Sequence, residues 1–225
     1  MKYSYPEMYT ETYNNQRWYA TPWGLHYPSI TTVLGKTAAE EKIQSLENWR
    51  QSMGEDKADA YTKSRADHGT MVHLMAERFL KGEDVYAPVD NAPISEEDIG
   101  AFHTLRIKLK KLDEVYGQEV ALASKSLECA GRCDLIAVYR GRLVIIDFKT
   151  AGRIKGDSDI HDYKLQLCFY AHAHNEMFGT NIHEGVIWMV SMGGFPQEFF
   201  VDLDEYLPEL KFRLKTFWDK AISEL

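Results

Sequence analysis

The sequence predicts a mixed α/β fold, with a central mixed sheet in the order αβββαβ behind an N-terminal extended and helical part. Three observations carry this reading. Apolar residues recur at helical spacing through much of 38–116. Strand-like runs rich in Val, Ile and Leu then occupy 119–150. One helix-length segment, 160–178, separates them from two further strands.

Residues 1–35 carry Trp18, Trp23 and breaks at Pro6, Pro22 and Pro28, which predicts extended segments and turns. Residues 38–53 read as a helix with Ile43, Leu46 and Trp49 at helical spacing. Residues 57–80 read as a longer one, stopped by Lys81-Gly82. Residues 84–93 form a loop with two prolines. Ser95 then opens a helix whose acidic first turn, Glu96 to Asp98, suits the macrodipole; it is expected to run to about Tyr116 and stop at Gly117. Strands are expected over 119–124, 132–139 and 143–150, the last two joined by a turn at Arg140-Gly141. After the polar stretch 151–159 comes a helix over 160–178, ending near Gly179. Strands at 185–190 and 198–201 flank a Met192-Gly193-Gly194 turn, and 203–225 closes as an amphipathic helix with Leu207, Leu210, Leu214, Phe217 and Trp218 on its apolar side. The chain is read as one domain over 1–225: 1–117 extended and helical, 118–202 the core, 203–225 the closing helix.

At 225 residues the chain is long enough to bury a core without staples. The net charge of −8 argues against a protein that coats nucleic acid, though not against one that grips a few phosphates locally. No apolar run approaches the roughly 20 residues of a membrane span. The segment 1–11 has no apolar stretch of a signal peptide and carries Glu7 and Glu11, so a cytoplasmic protein is expected. Cys129, Cys133 and Cys168 lack paired metal-site spacing and are expected to pack as small apolar residues.

The informative chemistry lies in Gly131-Arg132-Cys133-Asp134 and Ile146-Asp147-Phe148-Lys149-Thr150. Asp147 and Lys149 alternate along a strand and share a face. With Arg140 and Gly141 at the turn, Tyr139 faces Arg142, and counting back pairwise brings Asp134 opposite Asp147. Two carboxylates with Cβ atoms about 5 Å apart repel unless a cation lies between them. Magnesium or another hard divalent ion answers that need and also binds phosphate. Lys149 beside it can orient or deprotonate a water and offset developing charge. An Asp-x-Lys strand pair alone is commonly a solvated face. Here the apolar run 143–146 makes the strand buried, and buried acids need partners. Gln166 and Tyr170 stand one turn apart on one helix face, as do His73 and Glu77 on an earlier helix. Singly, each of these pairs reads as packing.

Taken in order, Gly69-x-x-x-His73, Gly-Arg-x-Asp134, Asp147-x-Lys149-Thr150 and Gln166-x-x-x-Tyr170 resemble the RecB-like branch of the PD-(D/E)XK nucleases. Residues 27–34, Tyr-Pro-Ser-Ile-Thr-Thr-Val-Leu, resemble the opening of its phage and mitochondrial genome maintenance exonuclease-like members. The resemblance spans about 27–190 and implies a restriction-endonuclease-like core. It implies a Mg2+ or Mn2+ site of Asp134, Asp147 and the Phe148 carbonyl, with His73 as a further ligand. Lys149 would be the catalytic lysine, and Gln166 and Tyr170 would hold DNA or shape the site. Cys133 stands where the family often has proline. Relatives with an iron–sulfur cluster use four cysteines, which this chain lacks, so no cluster is expected.

The expected function is a metal-dependent DNA exonuclease acting on single strands or DNA ends, in phage or in repair and recombination DNA processing, with replication or recombination proteins as partners and no membrane. Trp18, Trp23 and Trp49 would be available for base stacking. The alternatives are a structure-specific or restriction-type endonuclease, or a non-catalytic nucleic-acid-binding module. Intact Asp134, Asp147 and Lys149 argue against the last.

Overall fold

The computed structural model describes residues 2–191, 193 and 195–223, with only the backbone of Ile222. The first strands, β1 (Thr10–Tyr13), β2 (Gln16–Ala20) and β3 (His26–Pro28), form a small antiparallel sheet. Asn14 and Asn15, both at positive φ, make its first turn. A bridge from Ser29 to Ala130 joins this sheet to the main one.

Next comes α1 (Ile30–Lys36), a helix that turn residues alone did not reveal. The Ser29 hydroxyl caps it by accepting the Thr32 N–H, and Ile30, Val33 and Leu34 bury one face. Gly54, at φ 87, separates α2 (Glu40–Met53) from α3 (Glu55–Lys81). The apolar stripe expected of α2 faces solvent, with Ile43 and Leu46 exposed and Trp49 packed edge-on against Tyr61. A left-handed Gly82 ends α3, as its sequence predicts. Ser95 caps α4 (Glu96–Leu109), and His68 reaches Asp98 at 2.5 Å to fasten α3 to it.

The expected continuation of that helix to Tyr116 is wrong. It ends at Leu109, and β4 (Leu112–Ser124) begins three residues later. Pairing with β5 (Cys129–Tyr139) and burial of Tyr116 outweigh the local helical pattern. The core therefore starts before residue 118. The turn at Arg140 and Gly141, both at positive φ, leads into β6 (Arg142–Ala151). A short 3-10 turn precedes α5 (His161–Phe178), which crosses over to β7 (Glu184–Ser191). β7 lies parallel to β6, and antiparallel β8 (Pro196–Asp202) completes the order β4-β5-β6-β7-β8. The observed core is thus αβββαβ with a mixed five-stranded sheet. In the expected turn after β7, Met192 and Gly194 lie outside the described residues; Gly193 sits at φ 90. The closing α6 (Leu207–Ser223) buries Leu210, Leu214 and Phe217; the expected residues 224 and 225 lie outside the described ones.

Both faces of the sheet are covered. Val72, Met75, Phe102 and Leu105 of α3 and α4 pack on Ala137, Ile146 and Trp188. On the other face α1, α5 and α6 pack on Ile136, Ile145 and Ile187. This explains the unbroken apolar runs 143–146 in β6 and 186–190 in β7.

Candidate active site

The β5–β6 ladder keeps the register set by the Arg140-Gly141 turn as far as Leu135–Ile146. Beyond that pair, the Phe148 N–H donates to Asp134 Oδ2 at 2.7 Å. The side chain thus takes up a ladder donor where the strands part. Asp147 is fully buried on β6, and neither of its oxygens has an aligned hydrogen bond. Lys149 Nζ lies 2.6 Å from Asp147 Oδ2, a charge contact at a poor hydrogen-bonding angle. The same ammonium approaches Gln166 Oε1 at 3.4 Å and lies 4.8 Å from the centre of the Tyr163 ring.

Helices on opposite faces of the sheet complete the site. From α5, Gln166 donates to the Tyr170 hydroxyl at 2.8 Å; both residues are buried. From α3, His73 has Nε2 3.0 Å from the Phe148 carbonyl oxygen and Nδ1 3.6 Å from Asp134 Oδ1. The structure thus brings His73 to Asp134 across 61 residues of chain. Gly69 of the same helix is not a forced close approach, since a Cβ there would meet Thr150 Oγ1 at an ordinary 3.6 Å.

One acid was missed. Glu119 falls between the ladder pairs Gln118–Leu135 and Val120–Cys133, with φ 49. Its Oε1 is 3.5 Å from His73 Nδ1, while its backbone carbonyl accepts from Arg132 Nη1 at 2.5 Å. Among the described residues, the ligand atoms of His73, Glu119 and Asp134 lie within 4.8 Å of one another. The only available signal was an acid early in a strand beside that of Asp134. No two-residue turn sets the register of that pair, so the sequence could not align it.

Buried carboxylates and cationic side chains offset one another in this site. Burial pushes the Asp147 pKa up to about 6, against the pull of Lys149, and burial also raises Asp134. Burial opposes charge on His73, but Asp134 and Glu119 outweigh it and lift the ring to about 9. Burial likewise opposes charge on Lys149, yet Asp147 and Asp134 raise it, so the ammonium is retained. The buried Asp147, paired with Lys149, and the His73–Glu119–Asp134 cluster are together a donor set that fits a divalent metal.

His73, Glu119, Asp134, Lys149, Gln166 and Tyr170 line a cleft of about 770 Å3. Arg17, Tyr19 and Thr31 line it from the N-terminal segment, and Gly69, Thr70 and His73 from α3. Of the aromatic residues expected to stack bases, Trp18 packs on Phe217 and Trp218, and Trp23 on Tyr27. The three cysteines are buried and free.

The αβββαβ core thus gathers Glu119, Asp134, Lys149 and His73 about one cleft. Residues 42–199, well over half of the chain, match the model of the PD-(D/E)XK nuclease superfamily, and the chain belongs to that family. Among curated proteins it is similar to mitochondrial genome maintenance exonuclease 1, 28% identical to the mouse protein and 27% to the human one. The matches cover 86% and 88% of this chain, but 59% and 60% of those relatives, so the chain spans about three-fifths of their length. A candidate exonuclease from Eubacterium rectale shares the fold at a TM-score of 0.50 and 11% identity, covering 70% of this chain and 69% of that one. Among the described residues, no helix is long and apolar enough to cross a membrane.

Proposed function

We propose that the chain is a Mg2+- or Mn2+-dependent deoxyribonuclease that degrades single-stranded DNA or DNA from its ends. The observation that carries this reading is the cleft in which Asp134, Lys149 and His73 meet, with the buried Asp147 paired to Lys149. The exonuclease assignment rests on the curated relatives and comes to this chain as a proposal.

Asp134, Asp147, the Phe148 carbonyl and His73 are the residues we assign to the metal. When bound, the ion supplies Lewis-acid polarisation of the phosphoryl oxygen and acidifies a water. Lys149, held cationic between Asp147 and Gln166, is placed to offset charge that develops on the phosphate. Gln166 and Tyr170 are buried, which favours a role in fixing the ammonium and shaping the cleft over stacking on bases. Arg17 and Arg132, which line the same cleft, are available to phosphates despite the acidic whole. We read 1–225 as one nuclease domain. The setting we assign is phage or repair and recombination DNA processing in the cytoplasm (the host's, for a phage protein), alongside replication or recombination proteins. It rests on the phage-like segment 27–34.

End-labelled linear and circular single strands, incubated with Mg2+ or Mn2+ and with chelator, test the reading. Linear strands should shorten from an end, circles should persist, and chelator should stop the shortening. Cut circles would favour the endonuclease alternative. Absence of hydrolysis with either metal would leave the non-catalytic binding module.

A further inference from the structure

We infer that Trp188 is a positioning residue for Phe148 and His73, and that Glu198 holds its indole in place from the neighbouring edge strand. The inference rests on the nuclease reading for its effect on turnover, but its geometry stands separately.

Phe148, Trp188 and Glu198 are successive partners across β6, β7 and β8. Partners in register put their side chains on one face, here the face that α3 and α4 cover. With strands about 4.8 Å apart, the row reaches roughly 10 Å from Phe148 to Glu198. At its inner end the Phe148 backbone is engaged twice. Its N–H donates to Asp134 Oδ2 at 2.7 Å, and its carbonyl oxygen lies 3.0 Å from His73 Nε2. The Phe148 ring meets the His73 ring edge-on, with centres 5.6 Å apart and planes at 76°. Trp188 stacks beside the same phenyl ring, with centres 6.0 Å apart and planes at 13°. The Tyr139 ring stands edge-on to the indole at 5.3 Å.

The indole is oriented by its N–H, which donates to Glu198 Oε1 at 3.0 Å. That carboxylate also accepts from the Tyr139 hydroxyl at 2.8 Å, Lys108 Nζ at 2.9 Å and Arg140 Nη2 at 3.2 Å. Burial pushes the Glu198 pKa up, but Lys108, Tyr139 and Trp188 outweigh it and hold the group below its ordinary value, so the charge is retained. Donors from α4, β5, the hairpin turn and β7 thus converge on one acceptor. Without it the buried indole N–H is left unpaired, a cost that a tilt of the ring relieves. A tilted indole no longer fits flat beside Phe148. The phenyl ring then shifts against His73, and with it the carbonyl that the imidazole faces.

Proton NMR of the metal-free full chain reads the His73 ring signals, which the adjacent Phe148 ring displaces by its ring current. Glu198→Ala leaves every aromatic ring in the row, so movement of those signals reports a shift in position and not a lost ring. Trp188→Phe keeps a ring but removes the N–H. Both variants should move the His73 signals. Leu214→Ala, which weakens the packing of α6 on the opposite face of the sheet, should not. Glu198→Gln, which keeps an oxygen for the indole, should return them towards wild type. On DNA with Mn2+, Glu198→Ala should lower turnover by about tenfold with little change in KM, and more than Leu214→Ala does. His73 signals that stay at their wild-type positions in both Glu198→Ala and Trp188→Phe would overturn the inference. So would a loss of turnover no larger than that of Leu214→Ala. Signals that move as described in a chain that hydrolyses no DNA would sink the nuclease reading and leave this row standing.

Discussion

Asp147 shows what the active-site cluster costs the fold. Its folded pKa of about 6 lies above the ordinary carboxylate value, so its ionised form destabilises the metal-free protein at neutral pH, and that penalty fades as pH falls below 6. A cation that binds only the folded form reverses it, by about 2.7 kcal/mol at a hundredfold excess over Kd. Saturating Mn2+ should therefore raise the melting temperature. Asp134→Asn keeps an oxygen for the Phe148 N–H and removes one repelling charge. Its melting temperature in chelator should match or exceed wild type, its Mn2+-induced shift should vanish, and hydrolysis should fall by orders of magnitude. An undiminished Mn2+ shift in calorimetry would remove Asp134 from the metal site. Lys149→Ala should cut turnover by roughly 100- to 10,000-fold while still binding Mn2+. It also strips Asp147 of its nearest cation, so it should lose about 3 kcal/mol of stability in chelator and recover much of that with Mn2+. Near-wild-type turnover would reduce Lys149 to a structural counter-charge.

At the scale of elements, the site depends on how closely α5 lies on β5. A Cβ at Gly131 would meet Tyr170 Cε1 at 2.8 Å and Ile30 Cγ2 at 3.1 Å. Gly131→Ala must displace the tyrosine that receives the Gln166 hydrogen bond, and with it the partner of Lys149. We expect a loss of about 1–3 kcal/mol in urea unfolding and a fall in turnover larger than any change in KM. Wild-type turnover in this variant would show that the Tyr170–Gln166 pair does not position the lysine. The elements themselves were unevenly legible. α3 and the β5–β6 hairpin are strongly punctuated by Gly82 and by Arg140-Gly141, and the structure reproduces them. α1 hid in a Ser/Thr-rich stretch because its buried face has only Ile30, Val33 and Leu34. Helical propensity concealed the start of β4, whose strand state is set by pairing with β5.

Across the whole molecule, burial is also spent on groups away from the site. His174 is fully buried between the Tyr5 and Thr180 hydroxyls, which lie 3.1 Å and 2.7 Å from its ring nitrogens. Burial holds its pKa down to about 4. Because the folded value is depressed, its contribution is present in full above the unfolded value of about 6.5 and is lost as pH falls through 4, a total of about 3 kcal/mol. Asp147 acts in the opposite sense over the same window, so the wild-type profile alone underreports the effect. The stability difference between wild type and His174→Gln in chelator should shrink steadily from pH 7 to pH 4. A constant difference would show that folding does not shift the pKa of this ring. Through Arg213, which donates to Leu34 O and Thr37 Oγ1, α6 holds the end of α1 and so ties the closing helix to the N-terminal wall of the cleft.

The sequence by itself determined the order of elements along the core, the β5–β6 register as far as Leu135–Ile146, though not the Asp134–Asp147 pairing expected beyond it, and the shared face of Asp147 and Lys149. These follow from period, turn chemistry and residues at most a hairpin apart. Only the tertiary structure decided that His73 meets Asp134, that Glu119 stands beside both, and that Trp18 packs on Trp218 and Trp23 on Tyr27. Those contacts join segments separated by long loops or whole helices. Their register comes from packing two helical layers against a sheet, and no local pattern of residues encodes that distance.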